Sequence, residues 1–198
     1  HMAFNGTKNF PKNELVSFLQ KNGIKFGDDL NAFTSFDQTV YMLPVPTDSQ
    51  AVFRRAFDVL EDWAHNLLMD EEEINKERGV ILEELRGGKG AQQRMRDKFF
   101  PIILNGSQYA KRNVIGTEDI LKNFKPETIR NFYKTWYRPD LQALIAVGDF
   151  DVDAVEKIIK DQFGAIPAVS NAKPRTEYDI PVHPGTKVAI VTDSEQPN

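Results

Sequence analysis

Between Val52 and Leu67 the apolar residues Val52, Phe53, Ala56, Leu60, Trp63, Ala64 and Leu67 fall on one stripe of a helix, and no other feature constrains this chain's fold as much. A stripe of about five turns has to be covered from several sides, so the chain must supply other elements with apolar faces of their own. It has the means to do so: 198 residues, 40% hydrophobic and 27% charged, suffice for one generous domain, or one domain and the start of another. Pro44 and Pro46 end the strand that precedes the stripe, and Asp48 or Ser49 stands where an N-cap belongs.

Upstream, Pro11 introduces a short amphipathic helix through Leu15, Phe18 and Leu19 that closes at Asn22-Gly23. After the Gly27-Asp28-Asp29 break, Leu30 to Thr34 and Thr39 to Leu43 are rich in β-branched and aromatic residues and predict two strands with a tight connection. Downstream, helical patterns run over 70–86, through Met95, Phe99 and Phe100, over 118–124, from Pro126 to Tyr137, and from the Asp151 cap to Phe163. The apolar runs Leu141 to Val147 and Val188 to Val191 predict buried strands, with a Pro-containing connector from Pro167 to Pro184. The chain opens on His1-Met2, which reads either as a cloning remnant or as native sequence, and stops at Gln196-Pro197-Asn198 without a closing element; the whole reads as an excised piece.

Charge and composition exclude several functions. Twenty-five Lys and Arg against 29 Asp and Glu leave a formal charge of -4 and no basic stripe for phosphates, so nucleic acid is not an expected partner. No apolar run approaches the roughly 18 residues of a membrane span. The absence of Cys removes disulfides, thiolate nucleophiles and Cys-ligated zinc, so any metal must use His and carboxylate.

The helix over 70–86 carries the informative chemistry. Glu77 and Glu84 lie only about 20° apart around its axis, two turns separated, with Val80 on one side of that line and Ile74, Ile81 and Leu85 on the other. Carboxylates inside an apolar arc call for compensation by cations, by hydrogen-bond donors or by a metal. An Arg or Lys from a packed neighbour, or a narrower arc, accounts for the pattern equally at this point. Glu71, Glu72, Glu73 and Glu83 lie at the helix start or off the face, where acids favour the dipole and water.

Three blocks in order, His1-Met2-Ala3-Phe4-Asn5-Gly6-Thr7, Asn31-Ala32-Phe33-Thr34-Ser35 and Glu77-Arg78-Gly79-Val80-Ile81-Leu82-Glu83-Glu84, resemble the pitrilysin/insulinase family of zinc metallopeptidases, the inverzincins. Ile115-Gly116-Thr117-Glu118, Phe132-Tyr133 with Trp136-Tyr137-Arg138-Pro139, and Val147-Gly148-Asp149-Phe150-Asp151 extend the similarity over nearly the whole chain, nearest to the large bacterial, periplasmic-type members.

The resemblance implies an α+β fold of two layers, a mainly antiparallel sheet flanked by helices. Residues 1–166 would be a truncated N-terminal peptidase domain, and 167–198 a connector with the start of the next strand or domain. It makes His1 the second histidine of H-x-x-E-H and Glu84 the distant zinc ligand. Glu77 becomes the carboxylate that orients the site, and Asn31, Ala32, Phe33 and Thr34 an edge strand to which an extended peptide or small-protein substrate adds. A related domain of the parent would close over the substrate, and a periplasmic or envelope location is implied. The first ligand His and the catalytic Glu fall outside the 198 residues, and the His1 to Glu84 separation is somewhat longer than the family's usual one. The piece itself is therefore expected to be inactive, with no tightly bound metal, while the parent is a zinc endopeptidase.

Two other readings stand beside this one: a non-catalytic, peptide-binding or structural homologue of the same fold, and an interaction domain in which Glu77 and Glu84 simply pair with Arg. His65 and His183 lack a ligand-spaced partner. Gly87-Gly88-Lys89-Gly90 follows a helix and lacks the phosphate-loop pattern. Phe99, Phe100, Tyr133, Trp136 and Tyr137 are spaced as packing aromatics.

Overall fold

A computed structural model describes residues 1–25 and 31–195. The Gly27-Asp28-Asp29 break, Leu30 and the terminal Gln196-Pro197-Asn198 lie outside the described residues. About half of the chain is helical, with one small two-stranded antiparallel sheet, so the α+β expectation holds with a smaller sheet than expected.

The chain forms two compact units, the first from His1–Phe33, Thr39–Glu77 and Lys125–Lys173, the second from Thr34–Gln38, Arg78–Phe124 and Pro174–Asn198. In the first, helix α1 (Glu14–Lys21) and helix α2 (Gln50–His65) bury the apolar faces that their spacing predicts. Ser49 caps α2 by accepting from the Val52 amide. Leu15, Leu19, Ile24, Val59 and Trp63 form one core with Ala3 and Phe10, and strand β2 (Thr39–Met42) lends Tyr41 to its edge. Strand β1 (Asn31–Thr34) pairs with β2 across a turn in which the Ser35 amide donates to the Gln38 carbonyl at 2.8 Å. Tyr41 and Tyr137 share a hydroxyl hydrogen bond of 2.7 Å, and burial pushes the Tyr41 phenol well above its ordinary range.

Helix α3 (Glu71–Gly87) begins under Asp70, whose Oδ1 accepts from the Glu72 and Glu73 amides, and Ile74 is its buried anchor. Its first turns, through Glu77, belong to the first unit. That unit also holds helix α6 (Pro126–Trp136), started by Pro126 at its first turn, and helix α7 (Val152–Phe163), capped by Asp151 accepting from Ala154. Helix α7 packs on α2, with Gln162 donating to Asp58 and Glu61.

The second unit contains the rest of α3, helix α4 (Ala91–Ile103) and helix α5 (Glu118–Asn123), the last capped by Thr117. Arg78 donates to the carbonyls of Leu121 and Phe124 and lies 3.9 Å from the Phe124 ring centre. Arg94 grips the C-terminal stretch with hydrogen bonds of 2.8 and 2.6 Å to Asp193 and 2.8 Å to Glu195.

That grip holds the Asp193 carboxyl at about 2, below its ordinary 3.8. A depressed carboxylate stabilises the fold above its unfolded pKa and ceases to as pH falls through the folded one. Arg94→Met is therefore expected to lower the melting temperature above about pH 4, with the difference from wild type shrinking toward pH 2. Melting curves across that range check it, and a pH-independent difference refutes it.

The two predicted strands at 141–147 and 188–191 are corrected. Pro139–Leu141 is a single 3-10 turn, and neither 142–147 nor 188–191 joins a ladder. A strand exists only beside a hydrogen-bonded partner, and among the described residues neither run has one. Ile145, Val147, Val188 and Ile190 are accordingly 84, 91, 77 and 89% exposed.

Candidate functional site

The site is built on a turn that starts at residue 1. Met2–Phe4 form a 3-10 turn closed by the Phe4 amide on the His1 carbonyl and the Asn5 amide on the Met2 carbonyl. Met2 and Ala3 are buried, and the Trp63 indole donates to the Ala3 carbonyl at 3.0 Å, which fixes the turn on α2. Gly6 then takes φ +114°, a conformation that L side chains rarely adopt, and an added Cβ would stand 3.1 Å from the Lys12 amide nitrogen. The chain reverses there and runs antiparallel to the residues after α2, with Thr7 bridging Leu67, Lys8 donating to Asn66 and Leu68 donating to Gly6.

This reversal presents His1 and Asn5 to the second turn of α3. Glu77 Oε1 lies 2.6 Å from His1 Nδ1, and Glu77 Oε2 accepts from Asn5 Nδ2 at 2.6 Å. Both carboxylate oxygens are thus engaged, and the Glu77 side chain keeps only 17% of its exposure against 44% for His1. A carboxylate only accepts, so the Nδ1 that faces Glu77 is the donor of this bond.

Of the predicted residues, His1 and Glu77 are brought together. Glu84 stands two turns further along α3, about 10 Å on, and is exposed. The apolar arc assigned to this helix is also corrected: Ile74 is buried, but Val80 is 53% exposed and Ile81 and Leu85 are only half-buried. Burial therefore explains Glu77 and does not extend to Glu84. Asn31 to Thr34 form an edge strand with Phe33 47% exposed, and Asn31 Oδ1 accepts from the Ala32 amide at 2.8 Å. His65 Nε2 lies 3.9 Å from Glu61, and His183 Nε2 lies 2.9 Å from the Asn105 carbonyl. A wide groove of 1280 Å³ in the second unit is lined by Arg96, Phe99, Phe100, Lys187 and Val191, and has no carboxylate facing an imidazole.

The donors fit zinc in kind. An imidazole whose Nδ1–H is held by a carboxylate is the arrangement that fixes tautomer and ring orientation in zinc-ligating histidines. They do not fill a zinc shell by number: no group of three or more His, Cys, Asp or Glu among the described residues stands close enough to hold an ion, and stable sites take three or four.

Two residues of this arrangement escape the pattern reading. Asn5 offers no periodic signal, and its partner lies 72 residues away. Asp62, fully buried on α2, accepts from Thr7, Asn9 and Asn66; an acid directly beside Trp63 on the helix with the long apolar stripe was the available clue.

Comparison with known proteins adds a further observation. A model of the insulinase family, peptidase family M16, matches residues 1–118, and a model described as the peptidase M16 inactive domain matches 123–198. The chain is 37% identical over 183 residues to a probable zinc protease PqqL of Haemophilus influenzae, covering 92% of this chain and 20% of that protein. It is 33% identical to a PQQL-like zinc protease of Arabidopsis thaliana, covering 98% of this chain and again 20% of the relative. The crystal structure of the first half of the periplasmic protease PqqL from Escherichia coli superposes with a TM-score of 0.84 at 34% identity, over 89% of this chain and 38% of that one. The chain thus spans about a fifth of the length of the curated relatives it matches.

Proposed function

The chain belongs to the insulinase family, peptidase family M16, and from that premise we propose that the full-length protein is a zinc endopeptidase to which these residues contribute part of the metal site and part of the substrate cleft. His1 and Glu84 would hold the zinc, and Glu77 would orient and charge the His1 ring from behind. The observation that carries this reading is the engagement of both Glu77 oxygens, one by His1 and one by Asn5. Zinc, when bound, supplies Lewis acidity that polarises a peptide carbonyl and acidifies water.

The remaining roles belong to this chain's own side chains. Glu77 holds the proton on His1 Nδ1 and so presents Nε2 as a ligand nitrogen. Asn5 occupies the second Glu77 oxygen and leaves that carboxylate a single orientation. Asn31 to Thr34 would bind an extended peptide or small protein through backbone hydrogen bonds, a mode indifferent to most side chains. The fold of the full-length protein is read as a mainly antiparallel sheet flanked by helices, residues 1–166 being the peptidase domain and 167–198 leading into the next. A second homologous domain would close over the substrate. No H-x-x-E-H occurs in the 198 residues, so alone they are read as inactive. A periplasmic or envelope location fits the relative from Escherichia coli, described as a periplasmic protease, and no described helix is long and apolar enough to cross a membrane.

Glu77→Gln in the full-length protein tests this. The amide keeps the shape, but it opposes an N–H to the donor on one of its two sides. Zinc affinity, measured by competition with a chelator, is expected to fall about 10- to 100-fold. Unchanged affinity would leave Glu77 as an ordinary partner of His1 and remove the support for a metal site here.

A further inference from the structure

We infer that Asp62 is a positioning residue for the metal site, acting on His1 and Asn5 through the loop 7–9; this rests on the reading of His1 as a zinc ligand. The Asp62 side chain lies on α2 inside the first unit and is fully buried. Its oxygens are met by four hydrogen bonds: Oδ2 accepts from Thr7 Oγ1 at 2.6 Å and from the Asn9 amide at 2.8 Å, while Oδ1 accepts from Asn9 Nδ2 at 2.9 Å and from Asn66 Nδ2 at 3.2 Å. All four donors are neutral, so the carboxylate is stabilised by aimed N–H and O–H groups.

Three of the four bonds land on Thr7 and Asn9, directly after the Gly6 reversal that turns Asn5 and His1 toward Glu77. Thr7 Oγ1 in turn accepts from the Phe10 amide at 3.2 Å, so the same hydroxyl closes the loop on itself. The Arg55 guanidinium adds an outer tie, 3.3 Å from the Asn9 carbonyl and 4.3 Å from the centre of the Phe10 ring. On the other side of the reversal the segment is held by Trp63, the residue after Asp62, through the Ala3 carbonyl. One turn of α2 therefore grips the loop before and after Gly6, and the stretch between is the one that carries Asn5.

The chemistry of the four donors makes Asp62→Asn a specific probe. Whichever way the amide is turned, its NH2 faces at least one N–H donor, the Asn9 amide on one side or the Asn9 and Asn66 side-chain amides on the other, so part of the loop's attachment is lost while the volume is kept. In the full-length protein, Asp62→Asn is expected to weaken zinc binding about three- to tenfold in chelator competition, with kcat reduced in proportion and KM unchanged. A purely structural residue would lower the melting temperature of the zinc-free protein and leave the zinc affinity of the folded molecules as it was. That result overturns the inference. Thr7 supplies a milder pair in case Asp62→Asn does not fold: Thr7→Ser keeps the hydroxyl and is expected to bind zinc as wild type does, whereas Thr7→Val loses about threefold. Equal zinc affinity in Thr7→Val and Thr7→Ser also refutes the positioning role. A wild-type protein that takes up no zinc would end the metal-site reading itself, whereas wild-type zinc uptake with unaffected variants ends only the role given to Asp62.

Discussion

On the zinc-site proposal, Glu84→Gln in the full-length protein is expected to lose its zinc while keeping its melting temperature in the zinc-free form. Glu84 is exposed, and substitutions at exposed sites cost at most about 0.5 kcal/mol of stability. Its removal is therefore expected to leave the fold nearly as stable as before, in contrast to a change at the half-buried Glu77. In the proposed role of a direct ligand its loss is expected to exceed the effect of an outer-sphere carboxylate, so affinity should fall by more than about 100-fold. Metal analysis after dialysis, with melting curves of the zinc-free forms in parallel, decides the matter. Retention of zinc by Glu84→Gln would mean that the acid a heptad after Glu77 is a surface residue, and the ligand would have to be sought elsewhere.

The largest effect on stability is expected at Trp63. Its side chain is 2% exposed, its ring lies 5.6 Å from Phe4 and 5.2 Å from Tyr41, and its indole N–H is the donor for the Ala3 carbonyl. Trp63→Ala removes that packing and leaves the carbonyl buried without its donor, at a cost of about 3–5 kcal/mol. Domains of this size are stable by only about 5–15 kcal/mol, so the first unit should come close to unfolding, with its melting transition lowered by at least about 10 °C. Trp63→Phe keeps most of the packing and isolates the lost donor, at about 1–3 kcal/mol. Circular dichroism during thermal unfolding separates the two. A shift of a degree or two for Trp63→Ala would show that the core is not centred on this residue.

Much of the local structure is legible in the sequence because its causes are local. Ser49, Thr117 and Asp151 cap the helices that follow them, and the stripe on α2 is buried at Ala56 and Trp63, with Phe57 and Val59 buried beside it although the stripe does not include them. Strand pairing is not local, which is why the apolar runs at 141–147 and 188–191 read as strands yet join no ladder. The family resemblance rests on residues in order and is borne out by the family match. The site is legible in part. Periodicity places Glu77 and Glu84 on one face but says nothing of what covers that face, so Glu77 is held by His1 and Asn5 while Glu84 is exposed. Asn5 and Asp62 act across 72 and 55 residues of sequence, and no window of helical length spans such distances.

The open run at Ile145 and Val147 bears on how this chain behaves at high concentration. A β-prone run with exposed Ile145 and Val147 that joins no ladder among the described residues is a template on which a second copy can zip edge to edge. Like charge keeps molecules apart only until such ribbons meet. The colloidal limit of the isolated 198 residues is therefore expected to depend on a handful of side chains more than on the formal charge of -4 spread over its surface.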